Sequence, residues 1–288
     1  MSIEAPDLLR TMTAPRALLS QTVADLSPSE TADKLLDWSL AKSALRLDRM
    51  IALGIMAGLF IGFGGIFFTT VMIETPLGHG PTRLLGGIAF SMGLLLVCMT
   101  GAELSTGNCM IAAAWAEARL STRATWRILG LSYAANAAGA LALAGLMLAS
   151  GLMHGPHGAT AARIAEAKLA VPFGQTLVRA ILCNVLVCLA VWLIQATRTL
   201  PAKLLGFCLP ISAFVAIGFE HSIANLYLIP VGLAAGAQGS LWDATLNIAA
   251  ATAGNLIGGC AVALAIWCAH LRRPGQRLPS GRGGARGD

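Results

Sequence analysis

Six long apolar stretches, separated by short polar connections, organise most of this chain. A helix needs about 20 apolar residues to cross a hydrocarbon core of about 30 Å. By that measure the spans run from Met50 to Ile73, Leu84 to Trp115, Trp126 to Met153, Val171 to Thr197, Leu204 to Leu233 and Thr245 to His270. The second and fifth exceed the length a crossing requires and carry glycines and polar residues in their middles, so both are expected to be interrupted. Ahead of the first span, Ser27-Pro28-Ser29-Glu30 offers an N-cap serine, a proline at the first helical position and a glutamate three residues on, which starts a helix. Leu35, Leu36, Leu40 and Leu45 then line one face, as in an amphipathic helix lying along a membrane surface. The expected organisation is a segment 1–49 with that helix, a six-span unit over 50–271 in halves 50–153 and 171–271, and a disordered basic tail over 272–288.

The two interrupted spans share a pattern. Gly101-Ala102-Glu103-Leu104-Ser105-Thr106-Gly107-Asn108 stands in the second, and Gly218-Phe219-Glu220-His221-Ser222-Ile223-Ala224-Asn225 in the fifth. Asn136-Ala137-Ala138-Gly139 in the third span is answered by Asn255-Leu256-Ile257-Gly258 in the sixth. With three spans in each half, the second copy enters the bilayer from the opposite side, so an inverted repeat follows. The fold class expected is an all-α membrane protein of six helices in two inverted three-helix repeats, aquaporin-like, with broken second and fifth helices.

Composition agrees. Of 288 residues 56% are hydrophobic and 12% charged, and the mean hydropathy is +0.71, outside the range of ordinary soluble domains. The net charge of +6 has no interleaved aromatics that would suit nucleic acid. It reports orientation: Lys42, Arg46, Arg49, Arg119, Arg123, Arg127, Arg198, Lys203, Arg272 and Arg273 share one side, and Arg83, Arg163 and Lys168 the other. The positive-inside rule then puts both termini in the cytoplasm of a multi-pass protein of the cell inner membrane. The seven cysteines fall in apolar stretches without ligand spacing and read as small core residues; no metal or cofactor is expected.

Polar groups in mid-span are costly in lipid and mark pathways or buried scaffolding. Asn136 and Asn255, beside glycines, read as helix-packing residues, and Glu103 and Glu220 as carboxylates holding loop backbone, with Asn108 and Asn225 in the same scaffold. His221 is the one histidine deep in a span, where the first half has Leu104; it reads as a pore residue. An intramembrane enzyme is disfavoured, because neither HExxH nor GxSxG occurs. Water and glycerol channels of similar architecture carry Asn-Pro-Ala at both half-helices, which is absent, and ammonium channels pair pore histidines, which is not seen.

With these two signatures, and with Ile181-Leu182-Cys183-Asn184-Val185-Leu186-Val187-Cys188-Leu189-Ala190 in the fourth span, the chain resembles the formate/nitrite transporter family. The resemblance implies a homopentamer with one pore per protomer, passing small monovalent acid anions. It places Thr106 and His221 in the central pore, Asn184 nearby, Glu220 beside the histidine, and Lys168 at an outer vestibule. Phe90 and Phe214 take the outer hydrophobic constriction, Leu94 and Leu104 the inner. Ser105 departs from the family's usual phenylalanine, which implies a wider or wetter inner constriction. Phe219, Tyr227 and Pro230 look more like formate members, with nitrite or hydrosulfide the alternatives. Protonation of a carboxylate with a pKa of about 4 at pH 7 costs about 4 kcal/mol, against an idealised Born cost on the order of 20 kcal/mol for the bare anion. The expected passenger is therefore the neutral acid, with protons as co-substrate.

Overall fold

The computed structural model describes residues 24–74, 76–276 and 278–279. Most of the expected basic tail lies outside them. Ser27 caps α1 (Pro28–Ser43), accepting a hydrogen bond from the Glu30 amide while the Glu30 carboxylate accepts one from the Ser27 amide. Leu35 and Leu36 are buried against the ends of the spans, as are Thr31, Ala32, Ser39 and Lys42. The first three spans are α2 (Leu47–Val71), α3 (His79–Thr100) with its continuation in α4 (Ser105–Asn108) and α5 (Ala112–Ala116), and α6 (Thr122–Ala149). The second set repeats the order. A surface helix α7 (Pro156–Leu169) precedes α8 (Phe173–Ala196), α9 (Leu200–Ile217) with its continuation α10 (Ser222–Ala234), and α11 (Leu241–Ile266). Six helices among the described residues are long and apolar enough to cross a membrane.

Both breaks come from the same local chemistry. Gly101 and Gly218 adopt left-handed backbone, φ +70° and +89°, where a side chain would clash with the following carbonyl. Each ends its helix there. The chain then extends through three residues in each half before the next half-helix starts at Ser105 or Ser222.

The helices approach closely where side chains are smallest. A Cβ on Gly58 would overlap the Asn136 carbonyl, and one on Gly139 the Ile55 carbonyl, which fixes the α2–α6 crossing. Gly254 and Gly258 do the same against Leu177 and Ile181 of α8. The cysteine reading is met in part: Cys109, Cys183 and Cys188 are buried, while Cys98, Cys208 and Cys260 are half-buried and Cys268 is exposed.

Candidate functional site: a barrier between two vestibules

The broken helices leave backbone groups without helical partners, and two asparagines supply them. Asn136 Oδ1 accepts from the Ser105 amide at 2.8 Å, and its Nδ2 donates to the Glu103 and Gly54 carbonyls, each at 2.8 Å. Asn255 does the same in the other half. Its Oδ1 accepts from the Ser222 amide at 2.8 Å, and its Nδ2 donates to the Ala180 carbonyl at 2.8 Å and the Glu220 carbonyl at 2.9 Å. Packing residues alone would not show these bonds. Each asparagine ties the break to the neighbouring span, so break and helix crossing are one unit.

Glu103 and Glu220 differ from their expected role, because their partners are side chains. Lys42 Nζ donates to both Glu103 oxygens at 2.6 Å, and Asn108 Nδ2 to Oε2 at 2.9 Å. Lys168 Nζ donates to Glu220 Oε2 at 2.9 Å, and Asn225 Nδ2 to the same oxygen at 2.7 Å. A buried carboxylate needs a counter-charge and further donors to offset desolvation, and each half meets that need with one lysine and one asparagine. Burial pushes the Lys42 ammonium below the usual lysine range, while Glu103 pulls it back up. Asn247 completes the second set, accepting from Asn225 Nδ2 at 2.7 Å and donating to the Lys168 carbonyl at 3.1 Å.

These ion pairs face two cavities of about 280 Å³ each, which share no lining residue. Lys42, Glu103, Asn108, Trp38 and Gln195 line one, with Leu94 and Leu104 at its floor. Lys168, Glu220, Arg83, Arg163 and Arg179 line the other, with Phe90, Phe214 and His221 at its floor. Phe90 and Phe214 meet edge to face with centroids 5.9 Å apart, and the His221 ring stacks on Phe214 at 5.9 Å. Phe90, Phe214, Leu94, Leu104, Thr106 and His221 are each only 3% exposed, so the layer between the vestibules is closed and mostly apolar.

His221 and Thr106 join the two halves in that layer. The His221 Nε2 to Thr106 Oγ1 distance is 3.0 Å. His221 is also the N-cap of α10: its Nδ1 accepts from the Ala224 amide at 3.2 Å. With Nδ1 occupied as an acceptor, a neutral ring carries its proton on Nε2. The histidine thus offers Nε2–H toward Thr106 and the barrier. A ring protonated on both nitrogens would set Nδ1–H against the Ala224 N–H, at the cost of the cap.

The remaining named residues have less central positions. Asn184, fully buried, lies behind Thr106 and lines neither vestibule; its Nδ2 donates to the Asn255 carbonyl at 2.6 Å and the Thr106 carbonyl at 3.2 Å. Ser105 does not line the Leu94–Leu104 vestibule either. It borders a groove between α6 and α11 with Thr106, Tyr133 and Thr252. Lys42 was not singled out for the site by sequence, although it stands as far ahead of Leu47 as Lys168 does of Phe173. Extending the repeat into the surface helices would have found it. Arg179, in the second turn of α8, is an intramembrane charge that the span pattern hid.

Two vestibules separated by a closed layer with a polar pair, built from inverted halves with broken helices, define a membrane transport protein for small solutes. The comparisons with known proteins give the class its name. A family model described as formate/nitrite transporter matches residues 29–268. The chain is 36% identical over 256 residues to the "Uncharacterized transporter YrhG" of Bacillus subtilis, covering 87% of this chain and 96% of that one. It is 36% identical over 248 residues to the "Formate channel FocA" of Escherichia coli K12, covering 76% and 86%. Among solved structures, a "Pentameric formate channel with formate bound" matches with TM-score 0.69 at 34% identity, over 77% of this chain and 96% of that one. An "FNT family ion channel" matches with TM-score 0.74 at 27% identity, over 83% and 98%. The chain belongs to the formate/nitrite transporter family.

Proposed function

We propose that this protein carries formate, and monovalent acid anions of similar size, across the inner membrane as a homopentamer with one pore per protomer. Relatives described as formate channels support the substrate, and the pentameric formate channel supports the assembly. Lysine and arginine placement supports cytoplasmic termini, with the Lys42 vestibule inward and the Lys168 vestibule outward.

The observation that carries the mechanism is the Thr106–His221 pair in an otherwise apolar layer. An anion drawn toward Lys168 or Lys42 meets Phe90 and Phe214, or Leu94 and Leu104, where no group can solvate a full charge. Neutralising it is far cheaper than forcing it through bare. The Nε2–H of His221 and the Thr106 hydroxyl give the passenger hydrogen bonds within the closed layer while it takes a proton. Two routes deliver that proton: transfer from a ring that has released its Nδ1 cap, or protonation in the vestibule with the neutral ring acting only as a donor.

His221→Asn separates proton sharing from capping, because asparagine can still cap α10 but cannot carry a transferable proton. In proteoliposomes, wild-type formate uptake is expected to accelerate with an inward proton gradient, and His221→Asn to lose most of that acceleration while folding normally. Full gradient sensitivity in the variant would remove the histidine from proton delivery. Competition by nitrite, hydrosulfide, acetate and lactate then ranks the substrates, and a lack of formate uptake would overturn the substrate assignment.

A further inference from the structure

The two halves match in their lysine, glutamate and asparagine sets, yet their vestibules differ in charge. Among the described residues, Lys42 and Glu103 are the only charged ones on the wall of the first vestibule, and they pair with each other. The second adds Arg83, Arg163 and Arg179 to the Lys168–Glu220 pair, and Glu220 is its only carboxylate among the described residues. Counting in register from Lys42 and Lys168, Arg163 occupies the place of Asp37 and Arg179 that of Leu53; counting from Gly101 and Gly218, Arg83 occupies the place of Leu200. The inverted repeat therefore does not require these arginines.

Packing does not require all of them either. Arg83 is held rigidly, its Nη2 donating to the Val215 carbonyl at 2.7 Å and its Nε to the Ala216 carbonyl at 3.2 Å, at the C-terminal end of α9. Arg163 Nη2 donates to Thr160 Oγ1 at 2.9 Å. Arg179 lies within a spanning helix, half-buried, and has no hydrogen bond or ion pair among the described residues. An intramembrane arginine facing a cavity whose carboxylate, Glu220, is already paired with Lys168 points to a ligand site. Guanidinium forks match carboxylates in geometry.

We propose that Arg83, Arg163 and Arg179 form a binding site for small dicarboxylates of about oxalate size, and that a bound dicarboxylate blocks entry of the monoacid from this vestibule. The blocking half rests on the transport reading above; the binding half does not. A dianion that gains one proton is still an anion, so the Phe90–Phe214 layer that a neutral monoacid crosses would stop it. Occupant and substrate then compete for the same mouth.

Two measurements on the purified full-length protein test this. Calorimetric titration with oxalate at fixed ionic strength is expected to show binding at least tenfold tighter than acetate. Arg179→Gln should weaken oxalate about tenfold, corresponding to about 1.4 kcal/mol, and Arg179→Lys, which keeps the charge without the fork, should weaken it less. In proteoliposomes, external oxalate should inhibit formate uptake competitively in the wild type and less in Arg179→Gln. If Arg179→Gln fails to fold, Arg163→Gln on the surface helix replaces it. Oxalate binding no tighter than acetate, or unchanged in the variants, overturns the proposal while leaving formate transport standing. Oxalate binding without any formate uptake would instead overturn the transport reading.

Discussion

At the scale of single residues, the Lys42–Glu103 contact ties the surface helix to the first break. Both side chains are almost fully buried and bonded at 2.6 Å, so removing one partner strands the other charge. Lys42→Met is expected to destabilise the protein by about 3 kcal/mol or more, whereas Lys42→Met with Glu103→Gln recovers most of the loss because no charge is left buried. Thermal unfolding in detergent measures both. Gly218→Ala is expected to cost about 1–2 kcal/mol for placing a Cβ at φ +89°. Ala118, at φ 59°, is the reverse case: Ala118→Gly should raise the melting temperature. The sequence showed Glu103, Glu220 and His221 plainly, because polar groups in apolar runs stand out. It hid Lys42 and Asn247, which sit in other elements and come within hydrogen-bond reach only on folding.

At the scale of elements, the glycines and asparagines repeated between the halves do one job. Asn136 can reach the Ser105 amide and the Glu103 carbonyl only because Gly58 and Gly139 let α2 and α6 touch along their backbones. Gly58→Ala is therefore expected to lower stability by about 1–3 kcal/mol and to impair transport more than a comparable loss of stability elsewhere would. Gly145→Ala, on the partner helix α6, meets no neighbour and should be neutral or stabilising by up to about 1 kcal/mol. Uptake rates normalised to folded protein compare the two. The repeated Asn-x-x-Gly marked the crossing in the sequence. The bonds that the asparagines make to the broken backbone were invisible there, since they depend on where the extended residues after Gly101 and Gly218 run. Ser105 shows the same limit: its neighbours in sequence suggested the constriction, but it borders the α6–α11 groove.

At the scale of the whole molecule, two equal vestibules stand on opposite sides of one apolar layer, and the inverted halves explain why each has a lysine, a glutamate and an asparagine at matching places. Six spans, two breaks and the opposed orientation of the halves were legible because lipid makes span length and backbone satisfaction strict requirements. The charge difference between the vestibules was not, since it rests on arginines in three separate helices. If the passenger crosses as the neutral acid, as proposed, flux should rise as external pH falls from 7 toward 5, by up to about tenfold per unit while formate stays mostly ionised.

The most direct test counts protons and formate together, with an internal pH dye and isotopic formate in the same proteoliposomes. One proton entering with each formate is the ratio this account requires. Formate entry without internal acidification, leaving a membrane potential that halts uptake until an ionophore releases it, would show the bare anion crossing the Phe90–Phe214 layer and contradict the account.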